Sequence, residues 1–294
     1  MSSSIKAHLA LLIATLIFAI NYWISKDLVG KLDVFQLVFF RTIGASLLFS
    51  IIYFIRPIEK VQHKDKFLLA IAATFGIALN QLLFFGGLQF TSPVDTATIH
   101  VSNPLIVMSL SAIFLNAKLN RNQILGVVFG AIGALVLVVY QKDFHWTNQS
   151  ILGNLMILGN TSAYAIFLVM LKPLLKKYKP LTIMFWVYLF SSLLIFPLGL
   201  SSMSEISWSE LIMNHGISIL YIIVMVTFIA YLLNIYSLRK LSPTVVSFYI
   251  YLQPVFALII AVILGESLPG WVKISATLLV FFGVYLVSRK EKTR

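Results

Sequence analysis

The sequence predicts an all-α integral membrane protein of ten transmembrane helices, arranged as two inverted five-helix repeats. Three observations predict it. Of 294 residues, 60% are hydrophobic and 11% charged, with a mean hydropathy of +0.95; that is more apolar side chain than a soluble core can bury. The apolar residues gather in ten stretches, each near the roughly 20 residues that carry an α-helix across about 30 Å of hydrocarbon. One run also occurs twice, 150 residues apart: Leu88-Gln89-Phe90-Thr91-Ser92-Pro93, ten residues and then Pro104, against Leu238-Arg239-Lys240-Leu241-Ser242-Pro243, ten residues and then Pro254. The same offset pairs Ile113 with Ile263, Ile124 with Ile274 and Gly133 with Gly283, which is an internal duplication.

The stretches fall near residues 7–25, 34–55, 66–87, 94–115 and 122–140 in the first half, and 151–171, 181–200, 216–237, 244–264 and 271–288 in the second. They read as helices because period-2 alternation is absent and an unpaired strand cannot sit in lipid. The first stretch follows Lys6 and imitates a secretory leader. No small-x-small cleavage site follows, so it reads as an uncleaved anchor. Residues 1–140 form the first repeat, the polar stretch 141–150 an outer linker, and 151–294 the second repeat. The early parts of the halves agree at an offset of 146, Phe18-Ala19-Ile20 with Tyr164-Ala165-Ile166 and Lys26 with Lys172. Five helices is an odd number, so the second half must cross in the opposite sense.

Charge sets the orientation. With the N-terminus inside, the inner segments hold Lys6; Arg56, Lys60, Lys64 and Lys66; Lys118 and Arg121; Lys172, Lys176, Lys177 and Lys179; Arg239 and Lys240; and Arg289, Lys290, Lys292 and Arg294. That is seventeen of the 22 cations, against Lys26, Lys31, Lys142 and Lys273 outside and Arg41 within a helix. The bias predicts both termini in the cytoplasm and a multi-pass protein of the plasma, or bacterial inner, membrane. The net charge of +12 reads as this bias plus attraction to anionic lipid heads. The basic residues form no single stripe, so nucleic acid is not an expected partner. With no cysteine, disulfides, thiolate metal sites and cysteine catalysis are excluded. Asn148-Gln149-Ser150 is a formal sequon on an outer loop, of consequence only in a secretory pathway. Trp146 and Trp208, also on outer loops, suit interface anchors.

The Ser-Pro at the head of a helix, the proline eleven residues on, the Leu264-Gly265-Glu266-Ser267-Leu268 close of that helix and the following helix with Gly283 resemble the drug/metabolite transporter superfamily, specifically its EamA-type permeases. The likeness covers nearly the whole chain, twice. It implies a ten-helix inverted-repeat fold that exports or takes up small polar metabolites, without naming one. The first half departs from the pattern, with Asn116 where the second has Glu266.

Polar residues inside apolar helices are the ones lipid penalises, and they are the candidate site. Arg41 lies about 10 Å below the outer end of the second helix, where three roles are open: substrate contact, snorkelling, or an ion pair with Asp95. Thr96, His100 and Asn103 share one face of the fourth helix at spacings of four and three. Pro104 deprives the His100 carbonyl of its helical donor, which makes a hinge or a binding wall of that face. On the ninth helix Tyr249 and Gln253 share a face, and Gln253 is the counterpart of Asn103 before the matching hinge Pro254. Asn21, Asn80, Gln81, Asn160, Tyr164, Tyr231 and Asn234 complete the set. Each could equally be interhelical glue; together they describe a wet, nearly uncharged central cavity. The candidate substrate-binding residues are therefore Asn21, Arg41, Asn80, Thr96, His100, Asn103, Tyr164, Asn234, Tyr249 and Gln253. Gly126, Gly130 and Gly133 form a small-residue stripe for packing, within the chain or across a homodimer.

His100 reads as the only histidine in a span and so as a candidate proton carrier, with Glu266 and Asp95 as alternatives if transport is proton-coupled. Glu266 otherwise suits the start of the tenth helix through its dipole. There is no His-Glu-x-x-His, no glycine-rich phosphate loop and no nucleophile with an evident base, so neither an enzyme nor a cofactor is expected. No nucleotide-binding motif is present, which leaves a substrate or ion gradient as the energy source. The expectation is a secondary transporter, an exporter of small polar metabolites such as amino acids or nucleobase-like compounds. A channel or uniporter is the alternative, and an intramembrane enzyme a remoter one. A phosphorylated ligand would want more cavity cations than Arg41.

Overall fold

The structure is a computed structural model that describes residues 3–28, 31–55, 59–91, 96, 99–140, 151–206, 208–263 and 270–288. Expectations resting on Arg56, Ser92, Asp95, the linker 141–150 with Lys142, Trp146 and Asn148, Glu266 and its neighbours 264–268, the Lys26 side chain and the C-terminal cations lie outside the described residues. Among those described there is no β-strand; the chain is all-helical. Ten helical segments follow: α1 Ser3–Leu28, α2 Val34–Ile55, α3 His63–Leu88, α4 Asn103–Leu115, α5 Arg121–Val139, α6 Ile151–Leu174 and α7 Pro180–Leu200. Then α8 comprises Trp208–Tyr221, Ile222–Ala230 and Tyr231–Lys240; α9 comprises Pro243–Phe248, Tyr249–Tyr251 and Leu252–Ile263; and α10 is Trp271–Ser288. Among the described residues seven are long and apolar enough to cross a membrane, while Asn103–Leu115, Arg121–Leu137 and Trp271–Val287 are shorter apolar helices. The eighth stretch begins eight residues earlier than its apolar core suggests, at Trp208, because its lead-in carries Ser209 and Asn214.

Local chemistry places the ends. Asn120 closes a capping box, accepting from the backbone of Asn122 at 2.6 Å and Gln123 at 3.4 Å while Gln123 Oε1 accepts from the Asn120 N–H at 3.2 Å; this starts α5. Ser242 caps α9, its Oγ accepting from Val245 N–H at 3.3 Å with Pro243 in the first turn. Asn116 ends α4 in the left-handed region, φ +49°, a conformation asparagine tolerates better than most residues. That accounts for an asparagine at this position. At the end of α8, Lys172 donates to the carbonyls of Leu238 at 2.7 Å and Leu241 at 2.6 Å, two groups the terminating helix leaves without donors.

The helices pack as equivalent pairs: α2 on α7, α5 on α10 and α4 on α9, with α3 on α6 and α1 on α8. Two contacts join residues to their own counterparts. Ser46 Oγ lies 3.2 Å from Ser192 Oγ, 146 residues on, and Tyr251 donates to the Val101 carbonyl at 2.9 Å, 150 residues back. The α5–α10 interface behaves likewise: a Cβ on Gly126 would stand 2.8 Å from the Gly283 carbonyl, and one on Gly133 2.7 Å from the Ala276 carbonyl. The glycine stripe thus serves packing inside the chain. A π-helical stretch interrupts α3 at Thr74–Leu79 and α8 at Ile222–Ala230, at matching places in the two halves, and such bulges commonly mark functional positions.

Large apolar side chains cover the outside, including Ile217 at 87% exposure and Phe67 at 68%, as a surface facing lipid does. The ends of α2–α3 and α6–α7 are knit by polar contacts. Asp65, buried, takes Lys177 Nζ at 3.1 Å and the Tyr178 hydroxyl at 2.8 Å. Glu59 accepts from the Lys179 N–H at 2.9 Å and the Thr182 hydroxyl at 2.6 Å.

Candidate functional site

The ten candidate residues converge on one cavity of about 670 Å³. Helix α1 brings Asn21, α2 Arg41, α3 Asn80, α6 Tyr164, α8 Asn234 and α9 Tyr249 with Gln253. Thr96 and His100 come from the segment before α4, and Asn103 from its first turn. Gln81, Asn160 and Tyr231 line it as well. These residues are far apart in sequence; the packing of α1, α3, α6 and α8 around the broken α4 and α9 brings them together.

Arg41 is buried at 6% exposure, so it does not snorkel outward. Its Nε donates to Thr227 Oγ1 at 3.3 Å, and its guanidinium lies 5.3 Å over the centre of the Phe85 ring, a cation–π arrangement. Thr227 belongs to the π-helical stretch of α8, and its own hydroxyl donates to the Ile222 carbonyl five residues back at 2.8 Å. The bulge therefore fixes the hydroxyl that orients the cation. No carboxylate among the described residues pairs with Arg41.

Opposite, Asn80 and Asn160 clamp α3 to α6 reciprocally. Asn80 Nδ2 donates to the Asn160 carbonyl at 3.0 Å and Asn160 Nδ2 to the Asn80 carbonyl at 2.8 Å. Because both amide nitrogens face carbonyls, the orientation of each carboxamide is fixed. Asn160 Oδ1 is then left for His100 Nε2 at 3.0 Å, and the imidazole stacks on Phe84 with centres 5.8 Å apart. His100 is not the only histidine within an apolar span: His8 lies in Ser4–Asn21 and meets the Tyr249 hydroxyl at 2.7 Å through Nδ1.

Both hinge prolines sit just after a break. Val101 and Ser102 form a turn before Pro104, and the 3₁₀ turn Tyr249–Tyr251 precedes Pro254. Asn103 Nδ2 donates to the Thr161 carbonyl at 3.1 Å, while its Oδ1 has no partner among the described residues. The same holds for Asn21 Oδ1, Asn234 Oδ1, Thr161 Oγ1 and both ends of the Gln81 carboxamide. Gln81 is only 2% exposed. Burying such groups unpaired costs about 1–3 kcal/mol each, so the cavity is built to be wet or filled.

Sequence reasoning missed Thr15, Thr161 and Ser247, and the aromatic wall of Phe18, Phe84 and Phe85. Hydroxyls and phenylalanines inside apolar runs carry no signal of facing, since threonine and serine satisfy themselves on their own helix, as Thr15 does on the Leu11 carbonyl at 2.7 Å. Among the described residues no three histidine, aspartate or glutamate side chains cluster as metal ligands would.

Compared with known proteins, the chain matches the EamA-like transporter family over residues 5–139 and again over 151–289. It belongs to that family. An uncharacterized transporter of Archaeoglobus fulgidus is 24% identical over 97% of this chain and 98% of its own length. The uncharacterized transporter YetK of Bacillus subtilis is 23% identical over 97% and 88%. A WAT1-related protein of Arabidopsis thaliana is 27% identical over 96% and 85%. One solved crystal structure superposes with a TM-score of 0.78 at 15% identity, covering 95% of both chains; at that identity it speaks for the fold alone. This EamA-like protein is therefore a multi-pass membrane transporter, and lipid and a small-molecule substrate are its expected surroundings.

Proposed function

We propose that this EamA-like protein is a secondary transporter that exports small polar metabolites, amino acids or nucleobase-like compounds, by alternating access between two inverted five-helix halves. One observation carries the reading. The cavity of about 670 Å³ is walled by carboxamides, hydroxyls and aromatic rings from both halves, with Arg41 its one cation among the described residues. That lining suits a neutral or zwitterionic solute with a planar part for the tyrosine and phenylalanine rings. It does not suit a phosphate ester, which would need two or three cations.

Support for the inverted halves comes from the contacts between counterparts. Equivalent residues meet near a two-fold axis, and the Ser46–Ser192 and Val101–Tyr251 contacts are what such an axis would produce. Two halves of like fold related this way can exchange conformations and open the cavity to either side. The broken α4 and α9 supply the joints. The loop charges favour both termini in the cytoplasm of a plasma or bacterial inner membrane.

His100 is the leading candidate if protons drive the exchange, since an imidazole changes charge near neutral pH. The test is uptake of a labelled metabolite panel by proteoliposomes at two values of pH, with saturable, substrate-selective flux expected. Flux that rises linearly with concentration and ignores solute identity would instead make the protein a channel.

A further inference from the structure

We propose that the corner where α2–α3 meets α6–α7 is a binding site for an anionic phospholipid. The sequence scatters Lys60, Lys64, Lys66, Lys176, Lys177 and Lys179 over two segments more than a hundred residues apart; the fold joins them. Gln62 N–H donates to the Tyr178 hydroxyl at 3.2 Å, Lys177 pairs with Asp65 at 3.1 Å, and Lys179 lies 3.9 Å from Glu59. Those two carboxylates are the acidic groups of the corner, and each is matched to one lysine. Lys60, Lys66 and Lys176 form no ion pair with a carboxylate among the described residues, and Lys64 adds its field to that of Lys177 on Asp65; six lysines against two carboxylates leave the corner a surplus of four positive charges.

Lys66 shows where a headgroup would stop. Its ammonium rests 4.3 Å from the centre of the Trp186 ring, and indole rings settle at headgroup depth. Immediately past it the surface turns apolar, with Phe67 68%, Phe54 64% and Ile55 77% exposed. A cationic rim above an uncovered aromatic and aliphatic wall fits a phosphodiester headgroup with acyl chains. It does not fit an acidic peptide or nucleic acid, which would leave that wall in water. Tyr53 stacked on Phe185, centres 4.0 Å apart, holds α2 against α7 beneath the rim and keeps the corner rigid.

The test uses a variant whose single tryptophan is Trp186, the other four being phenylalanine, in phosphatidylcholine vesicles containing 20% of dibrominated phosphatidylglycerol or dibrominated phosphatidylcholine. Each near-surface lysine contributes about a fivefold preference for anionic lipid, so quenching should report phosphatidylglycerol favoured at least about fivefold. Lys60→Gln, Lys64→Gln and Lys176→Gln together should bring the two lipids level, and the matching arginine triple should restore the preference. Equal quenching by both lipids in the starting variant overturns the proposal, as does a preference that survives the glutamine triple. Should the single-tryptophan chain fail to fold, native mass spectrometry of the wild type decides on the same terms, by whether phosphatidylglycerol stays bound where phosphatidylcholine does not.

Discussion

Asn160→Ala separates a built cavity wall from an incidental polar contact. The substitution deletes the Asn160 Nδ2 bond to the Asn80 carbonyl, 2.8 Å, and the Oδ1 contact with His100 Nε2, 3.0 Å. It leaves the Asn80 Nδ2 bond to the Asn160 carbonyl in place. Interhelical hydrogen bonds between side chains in membranes average about 0.6 kcal/mol and reach about 1.7. Two of them amount to about 1–3 kcal/mol, the upper end applying because the imidazole is left without this acceptor. Alanine at this point is sterically ordinary. The counterparts of Asn80 and Asn160 under the two repeat offsets are Ala230 and Ala14, both buried in one apolar cluster, so the other half makes the equivalent helix contact with alanines. The expected loss is therefore hydrogen bonding alone. Equilibrium unfolding in mixed micelles, followed by tryptophan fluorescence, measures it, with Ser109→Ala as the control because that exposed hydroxyl bonds only the Leu105 carbonyl of its own helix. A stability for Asn160→Ala within about 0.5 kcal/mol of the control would refute the clamp.

Three further outcomes are expected. A cysteine placed at residue 176 of this cysteine-free chain should resist an impermeant thiol reagent added to intact cells, while one placed in 201–206 should react; labelling at 176 from outside reverses the topology. Asn103→Ala and Gln253→Ala should each weaken transport without lowering membrane expression, about tenfold for Asn103, whose buried Oδ1 is unpartnered among the described residues; normal flux with both replaced would return these residues to helix packing. In proteoliposomes holding a pH dye, His100→Gln should abolish substrate-driven proton movement if the wild type shows it. Undiminished movement removes His100 from the proton path, and its absence in both points to a uniporter.

The sequence by itself determined the class, the helical content and the carboxamides and the cation that line the cavity, though not its hydroxyls Thr15, Thr161 and Ser247. It could do so because lipid enforces them: unsatisfied backbone is excluded from hydrocarbon, so apolar stretches must be helices, and carboxamides or cations within them must turn inward. Asn21, Arg41 and Asn234 were legible for that reason alone. The twofold run ending in Pro104 and Pro254 likewise gave both breaks, since proline removes a helical donor wherever it falls. Only the tertiary structure decided what each group meets. Gly126, Gly130 and Gly133 could have faced a second copy, because small residues permit close approach without naming a partner; packing set Gly126 and Gly133 on α10 and Gly130 against Phe248 and Tyr251 of α9. For Arg41 the sequence left substrate contact, snorkelling and an ion pair with Asp95 open; packing buries it on Thr227, a residue 186 positions on, whose hydroxyl is aimed by a π-helical bulge that no propensity predicts. Thr15, Thr161 and Phe84 joined the site for the same reason. Facing within an apolar run is chosen by long-range packing, and an apolar environment on every side erases the periodicity from which it could have been read.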